Sequence, residues 1–181
     1  IQTNMAIQTT NPFTNKTVKS FKEMTETAVE GKVAKAQEAY THWKETSYQH
    51  RADLLHKVAT LMRVKKSELA QTITLEMGKI IRESRAEIEK CAWACDYYAE
   101  NAEKFLSPEK IDLADGKKAK IIHQPLGAIL AVMPWNFPFW QVFRFAAPTL
   151  TAGNVGILKH ASNVPQCALA IESVFLKAGF P

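Results

Sequence analysis

Cysteine is scarce in this chain, with three in 181 residues, at Cys91, Cys95 and Cys167. Too few and too oddly placed for a disulfide framework, they point to a reducing compartment and predict a cytoplasmic protein. Aromatic residues make up only 9% of a chain that is 46% hydrophobic, enough for one respectable core and no argument for a second domain. Charge of one sign is also missing. The 23 Lys and Arg face 18 Asp and Glu, interleaved as in Glu83, Arg85, Glu87, Glu89 and Lys90. That pattern describes a solvated surface and not a nucleic-acid stripe, so no nucleic-acid partner is expected. No charged leader precedes an apolar run at the amino terminus, so no secretory signal is expected, and Met5 reads as the start, with Ile1 to Asn4 ahead of it. The long apolar run Leu126 to Leu150 is broken by Pro134, Pro138 and Pro148 and carries Arg144, which argues against a spanning helix and against a membrane partner. His42, His50, His56, His123 and His160 show no metal-ligand spacing; no metal is expected, and ordinary surface or packing roles are. Gly153 and Gly156 give only a G-x-x-G ahead of a strand, which is not a phosphate loop.

After a short extended lead around Asn11 to Val18, the pattern is helical. In Thr25 to Glu45 the apolar positions Val29, Val33, Ala36, Tyr40 and Trp43 recur at helical spacing, and Thr27 with Glu30 resembles a capping box. Ser47 is placed to cap a second helix carrying Leu54, Leu55, Val58 and Met62, and Ser67 to open a third that stops near Gly78. A fourth spans Ile81 to Phe105, with Ile88, Cys91, Cys95, Tyr98, Ala102 and Phe105 on one face. Asp115-Gly116 marks a turn, beyond which the period changes. Lys120 to His123 and Ala128 to Met133 read as strands, Phe139 to Thr151 as a helix, Val155 to Lys159 as a strand and Val164 to Ala178 as a last helix ending at Gly179. Strand, helix, strand, helix predicts right-handed parallel βαβ units, hence an α/β fold whose Rossmann-type sheet still wants a third strand.

Chemistry concentrates in Gly127-Ala-Ile-Leu-Ala-Val-Met-Pro-Trp-Asn-Phe-Pro138. Leu130 to Met133 reads as a buried strand, and Pro134 and Pro138 forbid regular pairing around Trp135 to Phe137, so a rigid loop is expected at the strand's carboxyl end, where ligands of open α/β sheets bind. Two readings of Asn136 fit. It donates to a carbonyl oxygen that becomes negative during attack, a contribution of about 3 kcal/mol where single donors have been removed, or it satisfies its own backbone in a core turn. Lys159, at a strand's carboxyl end, reaches a bound ribose or phosphate or snorkels along the surface. Arg144 lies among apolar sequence neighbours and needs an anionic partner, either a substrate carboxylate, which would favour substrates with a distal acid group, or an acidic side chain elsewhere. Trp140 and Phe143 line a channel there or pack in the core. Cys91, Cys95 and Cys167 have no His or Lys placed to lower a thiol pKa, and buried packing is expected of each.

The run Pro134-Trp-Asn-Phe-Pro138, with Ala152-Gly153-Asn154, Leu158-Lys159, Leu75-Glu-Met-Gly-Lys79 and Asn11-Pro12, resembles the aldehyde dehydrogenase superfamily, aligning nearly the whole chain to that family's amino-terminal part. The resemblance implies an α/β, aldehyde dehydrogenase-like fold that is incomplete without a carboxyl-terminal catalytic domain. Residues 1–115 would be the helical part of the cofactor-binding domain, 116–126 a strand of an oligomerisation hairpin, and 127–181 the first βαβα of the dinucleotide-binding sheet. It implies that Asn136 holds the oxyanion. Val132, Met133, Pro134, Trp135 and Asn136 approach the cofactor; Lys159 contacts its adenine ribose, and His160, Ala161 and Ser162 belong to the same segment. Many NAD-preferring members carry a glutamate at the position of Ser162; without an acid the barrier to a 2′-phosphate is gone, and the segment also lacks the family's usual proline after the lysine, so NAD or NADP is expected. Arg144 falls where succinate-semialdehyde dehydrogenases anchor the substrate's distal carboxylate, with Trp140 beside it. A small-molecule aldehyde substrate and a homo-oligomer, dimer or tetramer, are implied as partners.

Members of that family attack the aldehyde with a cysteine thiolate, pass hydride to nicotinamide and hydrolyse the thioester with a glutamate base. None of the three cysteines matches the nucleophile, so the chain by itself is expected to be inactive. Succinate semialdehyde is the substrate that the resemblance implies. A broader-specificity aldehyde dehydrogenase and a non-catalytic piece that self-associates through an unpaired sheet edge stand as alternatives, and a basic nucleic-acid binder is disfavoured by the mixed-sign surface.

Overall fold

A computed structural model describes residues 7–114 and 116–181; Ile1 to Asn4, Met5 and Asp115 lie outside them. The extended lead is a hairpin of β1 (Ile7–Asn11) and β2 (Lys16–Phe21), antiparallel with an irregularity between Thr9 and Thr10. Asn11 closes its turn, the side-chain oxygen accepting from the Phe13 N–H at 2.9 Å.

Four helices follow: α1 (Glu26–Trp43), α2 (Tyr48–Val64), α3 (Lys66–Met77) and α4 (Ile81–Leu106). The cap of α1 is Thr25, whose hydroxyl accepts from the Ala28 N–H at 3.2 Å. The capping box expected at Thr27 and Glu30 does not form, because Thr25 already fills the cap two residues earlier and puts Ala28 at the position where a box needs Glu or Gln. Ser47 caps α2 as expected, whereas Ser67 lies inside α3, which starts without a side-chain cap. Gly78 ends α3 in the left-handed conformation at φ 76°. The apolar stripe of α1 is buried only at its far end: Trp43 is in the core while Val29 and Val33 are exposed, and in α4 Phe105 is exposed too. The core gathers Leu55, Val58, Met62, Ile73, Ile88, Cys91 and Cys95 from these helices with Phe139, Phe143 and Val174.

Between α4 and the parallel sheet stands a hairpin of β3 (Glu109–Asp112) and β4 (Lys118–Ile121) that, among the described residues, packs against no other element. Its first strand was not legible in the sequence, and its second begins and ends two residues before the expected one. Then come β5 (Ala128–Met133), α5 (Trp140–Thr151), β6 (Val155–His160) and α6 (Pro165–Ala178). β5 and β6 are parallel, Val132 lying beside Lys159 and Met133 beside His160. The expectation that Leu130 to Met133 is wholly buried fails. Ala131 is 4% exposed, yet Leu130 and Val132 are 62% and 66% exposed, because helices cover one face of the two-stranded sheet and nothing among the described residues covers the other.

Candidate functional site

The two parallel strands end together, and the candidate site is built on their carboxyl ends. From β5 the chain passes through Pro134 to Pro138 into α5, and Trp135, Asn136 and Phe137 are all exposed. The Asn136 side chain makes no hydrogen bond within the described residues. It does not satisfy its own backbone, so the core-turn reading is excluded and the amide faces outward with its donors free.

The loop behind it is held from several sides. Glu87, buried on α4, accepts through Oε1 from the N–H groups of Phe139 at 2.9 Å and Trp140 at 3.0 Å, the first turn of α5. Its other oxygen pairs with Lys79, whose Nζ also lies 3.7 Å from the centroid of the Phe137 ring. From the sheet, His160 reaches the Pro138 carbonyl at 2.8 Å. A carbonyl only accepts, so Nε2 carries the hydrogen; Nδ1 in turn accepts from the Ala161 N–H at 2.8 Å. Burial lowers the pKa of this imidazole, the bond to Pro138 and the carboxylate of Glu76 opposing the shift, so the ring is neutral. His160 is therefore neither a surface histidine nor inert packing, and its ring has no nitrogen left to offer a cofactor.

Lys159 and Val132, paired across the sheet, point to its open face, and His160 to the covered one. The Lys159 ammonium has no partner among the described residues, and Ser162 is exposed just past the strand end. No carboxylate is bonded to either. Val132, Met133, Pro134 and Trp135 run along the same end, Met133 alone of them half-buried; Ala161, also half-buried, joins β6 to Ser162.

Arg144 departs from its expected setting. Its sequence neighbours turn inward while it lies on the exposed side of α5, bonded among the described residues only to Gln141 Oε1 at 2.9 Å. The structural ion pair considered above is absent among the described residues, and the guanidinium remains available to an anion. Trp140 is half-buried under Lys90, whose Nζ lies 3.9 Å from its ring centroid. Phe143 is no channel residue: it stacks between Phe139 and Phe175 in the core. Cys91, Cys95 and Cys167 are buried, and burial raises all three thiols, so none is a ready thiolate. No group of three or more His, Cys, Asp or Glu among the described residues is placed to hold a metal ion, and no helix is long and apolar enough to cross a membrane.

Three structural devices escaped the sequence reading. Glu76, buried on α3, accepts from the Thr9 hydroxyl at 2.5 Å and from the first-turn N–H groups of α6, Gln166 and Cys167, at 2.8 Å each. Glu87 does the same for α5. Asn154 braces the start of the sheet, Oδ1 accepting from Leu126 at 2.6 Å and Gly127 at 3.1 Å. A usable signal existed for the first two: the cap positions ahead of α5 and α6 are Phe139 and Val164, neither with a side chain able to cap, so their donors had to find acceptors elsewhere. A partly open hollow of about 160 Å³ lined by Lys44, Tyr48, Arg51, His123 and Pro125 lies toward the amino ends of the strands, away from Asn136.

The sequence model of the aldehyde dehydrogenase family matches residues 1–181. The chain is 51% identical over 177 residues to a protein of Synechocystis named probable succinate-semialdehyde dehydrogenase, NADP(+), and 49% identical over 179 residues to succinate-semialdehyde dehydrogenase, NADP(+), 1 of Mycobacterium tuberculosis. Each alignment takes in 98% of this chain and 39% of the relative, so the chain spans well under half the length of these curated relatives. A crystal structure of succinic semialdehyde dehydrogenase from Streptococcus pyogenes, in complex with NADP+, superposes with a TM-score of 0.92 at 36% identity, over 96% of this chain and 38% of that one.

Proposed function

The chain belongs to the aldehyde dehydrogenase family, and from that premise we propose that the whole protein oxidises an aldehyde with a distal carboxylate, succinate semialdehyde in the first instance, to the acid with NADP(+) or NAD(+). The observation that carries the proposal is the unbonded Asn136 amide at the carboxyl end of β5. A donor fixed there lowers the barrier by binding the oxygen that gains charge as the carbonyl is attacked.

The strand ends suit the adenosine side of a dinucleotide. Lys159 is a cation with no partner among the described residues, beside an apolar face, and Ser162 sets no carboxylate against a 2′-phosphate, in keeping with the NADP(+) in the names of these relatives. When bound, the nicotinamide cofactor supplies the hydride acceptor. Arg144 is the anchor for the substrate's far carboxylate, free of any acidic partner among the described residues. The thiolate and the general base are assigned to the remainder of the whole protein, since the three thiols of this chain are buried. That remainder is also assigned the open face of Leu130 and Val132. The lone β3–β4 hairpin is assigned to self-association into a dimer or tetramer, and the free cysteines to the cytoplasm.

Kinetics of the whole protein test the reading. Asn136→Ala is expected to lower kcat by about 10²–10³-fold, and Arg144→Ala to raise KM for succinate semialdehyde while sparing uncharged aldehydes of similar length. An unaltered preference for the acid-tailed substrate in Arg144→Ala removes the anchor.

A further inference from the structure

We infer that Lys79, Glu87 and His160 are positioning residues that fix where the Asn136 amide points, acting through the loop backbone and without touching the reacting atoms; the inference rests on the reading of Asn136 given above. Three consecutive residues after Asn136 are each gripped by a different group. The Phe137 ring lies under Lys79 at 3.7 Å, the Pro138 carbonyl accepts from His160 at 2.8 Å, and the Phe139 N–H donates to Glu87 at 2.9 Å. On the other side Pro134 fixes its own φ. Asn136 thus sits at the apex of a segment clamped at both feet.

Helix capping alone does not require this apparatus. A Ser or Asp at the cap of α5 would satisfy the same donors locally, whereas the chain buries a carboxylate and a lysine, both drawn from outside the loop. Removing an ion pair from water costs more than a local cap, and the arrangement makes sense where location is what matters. The grip also spans the two strand ends. His160 belongs to β6, next to Lys159, and its Nδ1 holds the Ala161 N–H, so the oxyanion donor and the proposed cofactor segment share one network. Misplacing a catalytic group by about 1 Å can cost about 10²-fold in rate, which sets the scale for loosening the clamp.

A double-mutant cycle in the whole enzyme tests this, with Glu87→Gln, Asn136→Ala and the pair. The Gln amide places an NH2 group either against Lys79 or against the two loop N–H groups, so donor meets donor in both orientations. Glu87→Gln alone is expected to lower kcat about tenfold, with KM for aldehyde and cofactor within about twofold, and to add nothing once Asn136 is Ala. Lys79→Met should repeat that pattern and Lys79→Arg should restore kcat; if Glu87→Gln does not fold, Lys79→Met, which leaves the carboxylate on the loop, carries the cycle alone. Losses that multiply, so that the pair is slower than Asn136→Ala by the full single-variant factor, overturn the positioning role and leave the Asn136 reading intact. An Asn136→Ala enzyme with wild-type kcat overturns that reading and the clamp with it.

Discussion

Glu76 is the residue whose replacement should be most informative about how this chain holds together. Its Oε1 serves the Thr9 hydroxyl at 2.5 Å and the Gln166 N–H at 2.8 Å, and its Oε2 the Cys167 N–H at 2.8 Å. One carboxylate thus ties the first hairpin to α3 and to the start of α6. Glutamine has the same shape and one oxygen fewer. Facing its NH2 group to Cys167 strands that buried N–H, and facing it the other way strands the Gln166 N–H, the Thr9 hydroxyl being able to turn and accept. A stranded donor costs about 1–3 kcal/mol, and the bonds that survive lose their charged character, about 1 kcal/mol each. Losing a negative charge at a helix amino terminus removes roughly another 0.3–1 kcal/mol. Burying a neutral amide in place of an ion offsets part of this, leaving a net loss of about 2 kcal/mol for Glu76→Gln. For a chain of this size that corresponds to about 4–8 °C in Tm. Glu76→Ala strands all three donors and is expected to lose about 3–4 kcal/mol. Urea unfolding followed by tryptophan fluorescence reads both, at constant m-value. A glutamine variant within about 0.5 kcal/mol of wild type would refute the reasoning, because the site would then be sensing shape and not charge.

Three further outcomes are expected. The His160 pKa is lowered by burial, with Pro138 and Glu76 opposing and Lys159 assisting; the folded protein therefore binds fewer protons than the unfolded chain, so stability should be full above about pH 6.5 and be lost as pH falls through the lowered folded pKa, and His160→Gln should flatten that part of a stability profile measured by urea unfolding between pH 7.5 and 5. Gly78→Ala forces a left-handed Cβ to within 2.9 Å of Pro12 Cγ and should cost about 2 kcal/mol, read as a lowered Tm. Cys91, Cys95 and Cys167, buried with raised pKa, should resist iodoacetamide at pH 8 in the native protein and all react in urea, as counted by intact mass; alkylation of any one in the native state would contradict the burial.

Much of the fold was legible because its signals are local. Ala128 to Met133 was bounded by Gly127 and Pro134, and the structure ends that strand at the expected residues; Ser47 and Gly78 punctuated their helices as expected. What was not legible depends on partners distant in sequence. Whether Leu130 faces a core or an open surface is decided by what covers the sheet, and strand periodicity alone says only that alternate residues differ. Arg144 looked buried because its neighbours along the chain are apolar, yet on a helix those neighbours turn to other faces. For the site, Asn136 and Lys159 could be singled out from prolines and strand ends. Uncapped helix starts showed that acceptors were needed but not that Glu76 and Glu87 supply them, since a buried glutamate in a helix looks in sequence like any solvated one; His160 was placed in the cofactor segment, and its hold on the distant Pro138 carbonyl was not legible.

These two glutamates also bear on where a dinucleotide's charge can go. The amino terminus of a helix is a ready anion site, and dinucleotide folds commonly rest the pyrophosphate on the first one after a strand. Here both helices of the βαβα unit are already occupied. Glu87 takes the first N–H groups of α5, and Glu76 takes those of α6. A phosphate brought to either end would find its donors in use; at α6 it would also meet the buried Glu76 carboxylate, whereas at α5 Lys79 already balances Glu87. On the proposed function, Lys159 and Ser162 meet the ribose and adenine, and the anionic link has to be neutralised by groups other than these helix ends. The arrangement trades the usual phosphate cradle for a rigid loop. The same carboxylate that closes α5 to anions holds the backbone behind Asn136, so on the proposed function the helix end would serve the reacting oxygen indirectly, through the amide that it positions.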